Sequence, residues 1–77
     1  MSHEPLGYNA EIERMVNQIA LQFALDAPHN AAEKLADHLL RFWDPSMRAT
    51  LVERVSAGRM QVTATVDKAV LILAADP

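Results

Sequence analysis

The chain has no cysteine. That absence excludes disulfides, thiolate nucleophiles and sulfur-ligated zinc or iron–sulfur sites. Only two glycines occur, Gly7 and Gly58, and neither interrupts an apolar periodic stretch, so long unbroken helices are predicted. Seven Lys and Arg against ten Asp and Glu leave a net charge of −3, and the basic residues form no run, so the electrostatic footprint of a nucleic-acid binder is missing. No stretch approaches the ~18 consecutive apolar residues of a membrane span. The segment Met1-Ser2-His3-Glu4-Pro5 has neither the basic nor the apolar region of a signal peptide. A cytoplasmic protein with no nucleic-acid or membrane partner is expected. No Gly-rich phosphate loop and no acidic calcium loop is present.

At 77 residues the chain is one small domain spanning 1–77, with a tail over residues 1–8. A lone core of this size rarely supplies more than ~3–5 kcal/mol. With disulfides excluded, the remaining support is another protein chain or unusually good packing.

What is present centres on His38-Leu39-Leu40-Arg41-Phe42-Trp43-Asp44-Pro45-Ser46-Met47-Arg48, which holds the only Trp and one of the two Phe beside a rigid Asp-Pro step. Proline disfavours the α conformation at the residue before it, so the helix feeding Trp43 must stop at Asp44. Asp44 can then act as N-cap, accepting from the amides of Ser46 or Met47, while Pro45 fits the first helical position. Phe42, Trp43, Asp44 and Pro45 thus form a structural corner between two helices.

Four helices are predicted, which makes the fold all-α: an antiparallel helical hairpin followed by two shorter helices. The first runs from about Ala10 to Asp26 behind an Asn9 cap and aligns Ile12, Met15, Val16, Ile19, Ala20 and Phe23. The second begins near Pro28 to Asn30 and ends at Trp43, with Ala31, Leu35, Leu39 and Phe42 as its inner stripe. The third runs from Pro45 to Ala57 and stops at Gly58, a residue suited to the left-handed C′ position. A fourth starts behind a Thr63 cap and turns Val66, Ala69, Val70 and Leu73 inward. The β-branched run Val62 to Val66 could be a strand, but the chain offers no second strand to pair with it, and helix is preferred.

Apolar residues off the inner stripes carry the functional signal. Leu21 and Leu25 sit one helical turn apart on the side opposite Ile12 and Ile19, together with Arg14 and Gln18. On the second helix the apolar arc reaches round to Leu40, wider than the ~100° stripe a surface helix needs. Leu71 and Ile72 likewise point away from Val66 and Leu73. Scattered surface leucines are ordinary in monomers, and a permanent partner covering them is the other reading. Arg48 falls within the arc of Met47, Leu51, Val52 and Val55. Its stem covers core atoms while its head pairs with Asp44, or its guanidinium crosses an interface. Trp43 is core by default, yet a large ring at a helix end of so small a domain is often only partly covered by its own chain. Asn17 and Gln18 are solvated amides or interface donors, and Arg41 lies beside His38 and Asp37 on a polar face of the hairpin.

Catalytic chemistry is not legible. Ser46 and Ser56 have no histidine at a neighbouring helical position, so no nucleophile with its base can be assembled. His3, His29 and His38 are scattered over tail, loop and helix, and no metal site is expected.

Met15-Val16-Asn17-Gln18-Ile19-Ala20, followed by the His38–Arg48 segment, resembles the delta subunit of cytoplasmic NAD-dependent formate dehydrogenase. In that family an Asn-Gln-Ile-Ala block precedes a helix ending in Phe-Trp-(Asp/Glu)-Pro-Arg-Met-Arg. Asn17, Gln18, Phe42, Trp43, Asp44, Pro45, Met47 and Arg48 match, while Ser46 stands where the family has arginine and Thr63 where it has a capping aspartate. The resemblance implies a non-catalytic accessory subunit that docks on the large alpha subunit and stabilises or assembles the complex. It implies no cofactor in this chain. The complex is expected to hold a bis-molybdopterin guanine dinucleotide centre with Mo or W, iron–sulfur clusters, FMN and NAD in other subunits. Asn17, Gln18, Leu21, Leu25, Leu40, Arg41, Trp43 and Arg48 are the expected partner-facing residues. A free helical chaperone or regulatory module acting during cofactor insertion, and a self-associating helical protein, are the alternatives.

Overall fold

The computed structural model describes residues 6–75, with side chains from residue 8 onward. Four helices follow one another: α1 (Leu6–Asp26), α2 (Ala31–Phe42), α3 (Pro45–Ser56) and α4 (Ala64–Ala75). Among the described residues there is no strand, and residues 62 and 63 lead into α4 without helical or strand structure. The all-α prediction is met.

Each boundary has a local cause. Asn30 is the N-cap residue of α2, its carbonyl accepting from the Lys34 amide at 3.0 Å, although its side chain makes no capping bond. The α3 C-terminus closes in a Schellman arrangement around Gly58, whose φ of +72° only glycine adopts without strain. The Gly58 amide donates to Val55 O at 3.0 Å and the Arg59 amide to Arg54 O at 2.8 Å. Thr63 caps α4 as expected: its hydroxyl accepts from the Val66 amide at 3.4 Å and its carbonyl from Asp67 at 3.0 Å.

α2 is the central element, packing most extensively on α4 and α1, while α3 leans chiefly on α4. The core joins Ile12, Val16 and Ala20 of α1 to Leu35, Ala36 and Leu39 of α2, Leu51 of α3, and Val66, Ala69 and Val70 of α4. No polar or charged residue is buried among them. Met15, Ile19, Phe23 and Leu73 pack against its edge, as their stripes predict.

Two readings need correction. α1 already includes Leu6, Gly7 and Tyr8, so Asn9 is a helical residue rather than the cap, and the part of the predicted tail that falls on residues 1–5 lies outside the described residues. A single glycine costs a helix roughly 1 kcal/mol. Docking of the Ile12 and Val16 face outweighs local preference of that size, since most helical stability in proteins comes from packing. The second correction concerns Phe42. Assigned to the inner stripe of α2, it is 72% exposed, while Trp43 beside it is only 7% exposed. Phe42 is the last residue of α2, and the backbone turns extended at Trp43, with φ −93° and ψ 140°. Helical periodicity ceases to govern direction at that step, and the indole rather than the phenyl ring enters the core.

Candidate functional site

Three features surround the corner: its locking contacts, a clamp on the α3–α4 connector, and the apolar side chains left outside the core.

At the corner the Trp43 amide still donates to Leu39 O at 3.1 Å. Arg48, one turn into α3, aims its guanidinium back at the end of α2. Its Nη1 donates to Trp43 O at 2.9 Å and to Leu39 O at 3.3 Å. Those carbonyls belong to the last turn of α2, which has no intrahelical donors left for them and carries the negative end of the helix dipole. The Arg48 guanidinium therefore caps the C-terminus of α2. It forms no ion pair with Asp44 within contact distance, which corrects that part of the sequence reading.

Asp44 occupies the N-cap position of α3 with an extended backbone, φ −58° and ψ 140°, and Pro45 follows as the first helical residue. Its carboxylate makes no backbone capping bond of full geometry. It accepts instead from the hydroxyl of Ser46. The hydroxyl is the main reason the Asp44 carboxyl is held below its ordinary pKa; desolvation opposes the shift, and the nearby Met47 and Ser46 amides and the Arg48 guanidinium reinforce it. A carboxyl with a depressed folded-state pKa contributes stability above its unfolded value, about pH 4. That contribution is lost as pH falls through the lower folded value. A carboxyl-detected NMR titration should therefore find Asp44 titrating below ordinary aspartates, and Ser46→Ala should move it back up. An Asp44 titration that Ser46→Ala leaves in place would show that the hydroxyl is not the cause.

The second feature has no sequence signature. Asn17 on α1 holds the connector before α4 from both sides of its amide: Nδ2 donates to Gln61 O at 3.0 Å, and Oδ1 accepts from the Thr63 amide at 3.1 Å. One turn earlier Glu13 Oε2 accepts from the Gln61 amide at 3.0 Å. The same Thr63 caps α4, so Asn17 couples α1 to the start of α4. Sequence reasoning offers Asn17 as a solvated amide or an interface donor; its amide is engaged within the molecule's own fold.

The third feature is the outward side of α1. Glu11, Arg14, Gln18, Leu21 and Leu25 recur at alternating spacings of three and four residues and so share one stripe. Arg14 pairs with Glu11 and donates to Gln18 Oε1 at 3.1 Å, which makes the first half of the stripe polar. Leu21 and Leu25, 59% and 71% exposed, make the second half apolar. Among the other expected interface residues, Leu40 is exposed and Arg41 forms an exposed ion pair with Asp37 at 3.0 Å. Such a pair contributes little to stability. Trp43 and Arg48 are turned inward by the contacts above. Leu71 and Ile72 are exposed on α4.

Among the described residues no three His, Cys, Asp or Glu side chains come together as they would to hold a metal ion. No helix there is long and apolar enough to cross a membrane.

The family model of the NADH-dependent formate dehydrogenase delta subunit, FdsD, matches residues 12–70, which span the Asn17-Gln18 block, the corner and the α4 cap. The chain belongs to the FdsD family. No curated protein and no solved structure matches it. Membership gives the two sequence blocks a setting: one supplies the Asn17 clamp, and the other supplies the corner in which Trp43 is buried and Arg48 caps α2. The FdsD family is a family of formate dehydrogenase subunits, so the chain has partner subunits.

Proposed function

We propose that this chain is a non-catalytic accessory subunit that docks on the large catalytic subunit of an NADH-dependent formate dehydrogenase and stabilises or assembles the complex. The observation that carries the reading is the outward stripe of α1 in a member of a delta-subunit family. Leu21 and Leu25 expose apolar area that folding leaves uncovered, and the Arg14–Gln18 pair beside them offers polar groups suited to an interface rim. A helix carrying anchors at this spacing is suited to a groove on a larger protein. In this reading the redox cofactors, a bis-molybdopterin guanine dinucleotide centre with Mo or W, iron–sulfur clusters and FMN, together with the NAD site, lie in the other subunits. The chain works in the cytoplasm as one domain.

The test is purification of the mature enzyme through an affinity tag on the large subunit. This chain is expected in stoichiometric amount after size-exclusion chromatography. Its loss from active enzyme would replace the reading with that of a transient assembly helper.

A further inference from the structure

The outward position of Phe42 leaves an aromatic feature that neither the core nor the α1 stripe accounts for. Phe42 rests on the His38 ring, centroids 4.9 Å apart and planes at 46°, and His38 meets Phe23 edge-on at 5.8 Å and 68°. The three rings line a groove of about 320 Å³ between α1 and α2. Its rim is electrically balanced: Asp37 and Arg41 neutralise each other, and Glu33 and Lys34 add one charge of each sign.

We propose that Phe42 and this groove form a second anchor point of the subunit interface, occupied by an uncharged apolar side chain of the large catalytic subunit. The inference rests on the docking role argued above and adds its aromatic contact. A balanced rim over an aromatic floor has no net charge with which to select an acidic or a basic segment, so the complementary occupant is uncharged. The anchor is also preorganised. Pro45 ends α2 at the corner, Arg48 fixes the Leu39 and Trp43 carbonyls, and the His38 ring holds the phenyl group, so little freedom remains to be lost on binding.

A second copy of the chain suits the site less well. Leu21 and Leu25 lie on the outward side of α1, Phe42 at the end of α2, and Leu71 and Ile72 on α4. Stable interfaces bury about 800 Å² on each partner. A single groove of this size falls short of that, whereas a large partner can reach the groove and the α1 stripe together.

The test co-expresses the chain with the other formate dehydrogenase subunits and measures its retention on the purified complex, alongside melts and solution masses of the free protein. Phe42→Ala is expected to melt like the wild type and to be retained at least tenfold less tightly, and Phe42→Leu to recover most of the retention. Wild-type retention of Phe42→Ala, or a lowered melt of the free variant, would overturn the proposal. So would a dimer of the free protein that Phe42→Ala converts to monomer while retention on the complex stays intact, because the occupant would then be a second copy. If Leu21→Ala with Leu25→Ala weakens retention and Phe42→Ala does not, the groove alone is refuted and the docking role stands. If the wild-type protein itself is not retained, the docking role falls and this inference with it.

Discussion

Trp43→Ala is expected to leave the isolated chain largely unfolded at room temperature. The indole is 7% exposed and belongs to the cluster that joins all four helices, so its removal opens a cavity where α2 turns into α3. Truncating a buried aromatic to alanine costs roughly 3–5 kcal/mol. A lone core of this size supplies about the same amount in total. Loss of the ring also unsettles the carbonyl of Trp43, which Arg48 holds at 2.9 Å. Trp43→Phe, which refills part of the volume, should retain a cooperative transition at lower midpoint. Leu40→Ala, at an exposed position on the same helix, should stay within about 0.5 kcal/mol of the wild type. Urea and thermal melts of the three variants decide the matter. A Trp43→Ala melt superimposable on the wild type would mean that the corner does not hold the fold together.

The contrast between Trp43 and its neighbour shows what periodicity can and cannot reveal. Inner stripes are legible in α1, in α4 and in α2 as far as Leu39, because regular helix fixes the direction of each side chain and burial then follows from apolar spacing. Caps are legible where one residue type suits one geometry, as with Gly58 and Thr63. Phe42 is misassigned when helical spacing is extended one residue too far, to the point where the backbone turns extended. Asn9 is misassigned for the opposite reason: a residue suited to capping lies inside a helix that packing carries further toward the N-terminus. The partners of Arg48 and Asn17 are not legible at all. Both side chains meet backbone atoms, Leu39 O and Trp43 O in one case and Gln61 O with the Thr63 amide in the other. Every residue carries such backbone atoms, so no pattern of residue types announces the contact. Leu21 and Leu25 are legible as surplus because their exposure follows from the same wheel that buries Ile12 and Val16.

Replacing Leu21 and Leu25 together by alanine should separate assembly from folding. Both side chains lie outside the core, and most of their area faces away from the other helices, so the free variant is expected to melt within a few degrees of the wild type. On a partner surface the same two side chains would become buried. Each truncation then removes apolar contact worth roughly 1–2 kcal/mol. Since about 1.4 kcal/mol is a factor of ten in affinity, the pair should weaken retention on the formate dehydrogenase complex by a factor of ten or more. Gln18→Ala on the polar half of the stripe should have a smaller effect, because its exposed hydrogen bond to Arg14 competes with water at the rim. The readouts are the fraction of the small subunit that co-purifies with the tagged large subunit and the melt of each free variant. Full retention of the double variant, combined with a clearly lowered melt, would place the two leucines in the service of the fold and remove α1 from the interface.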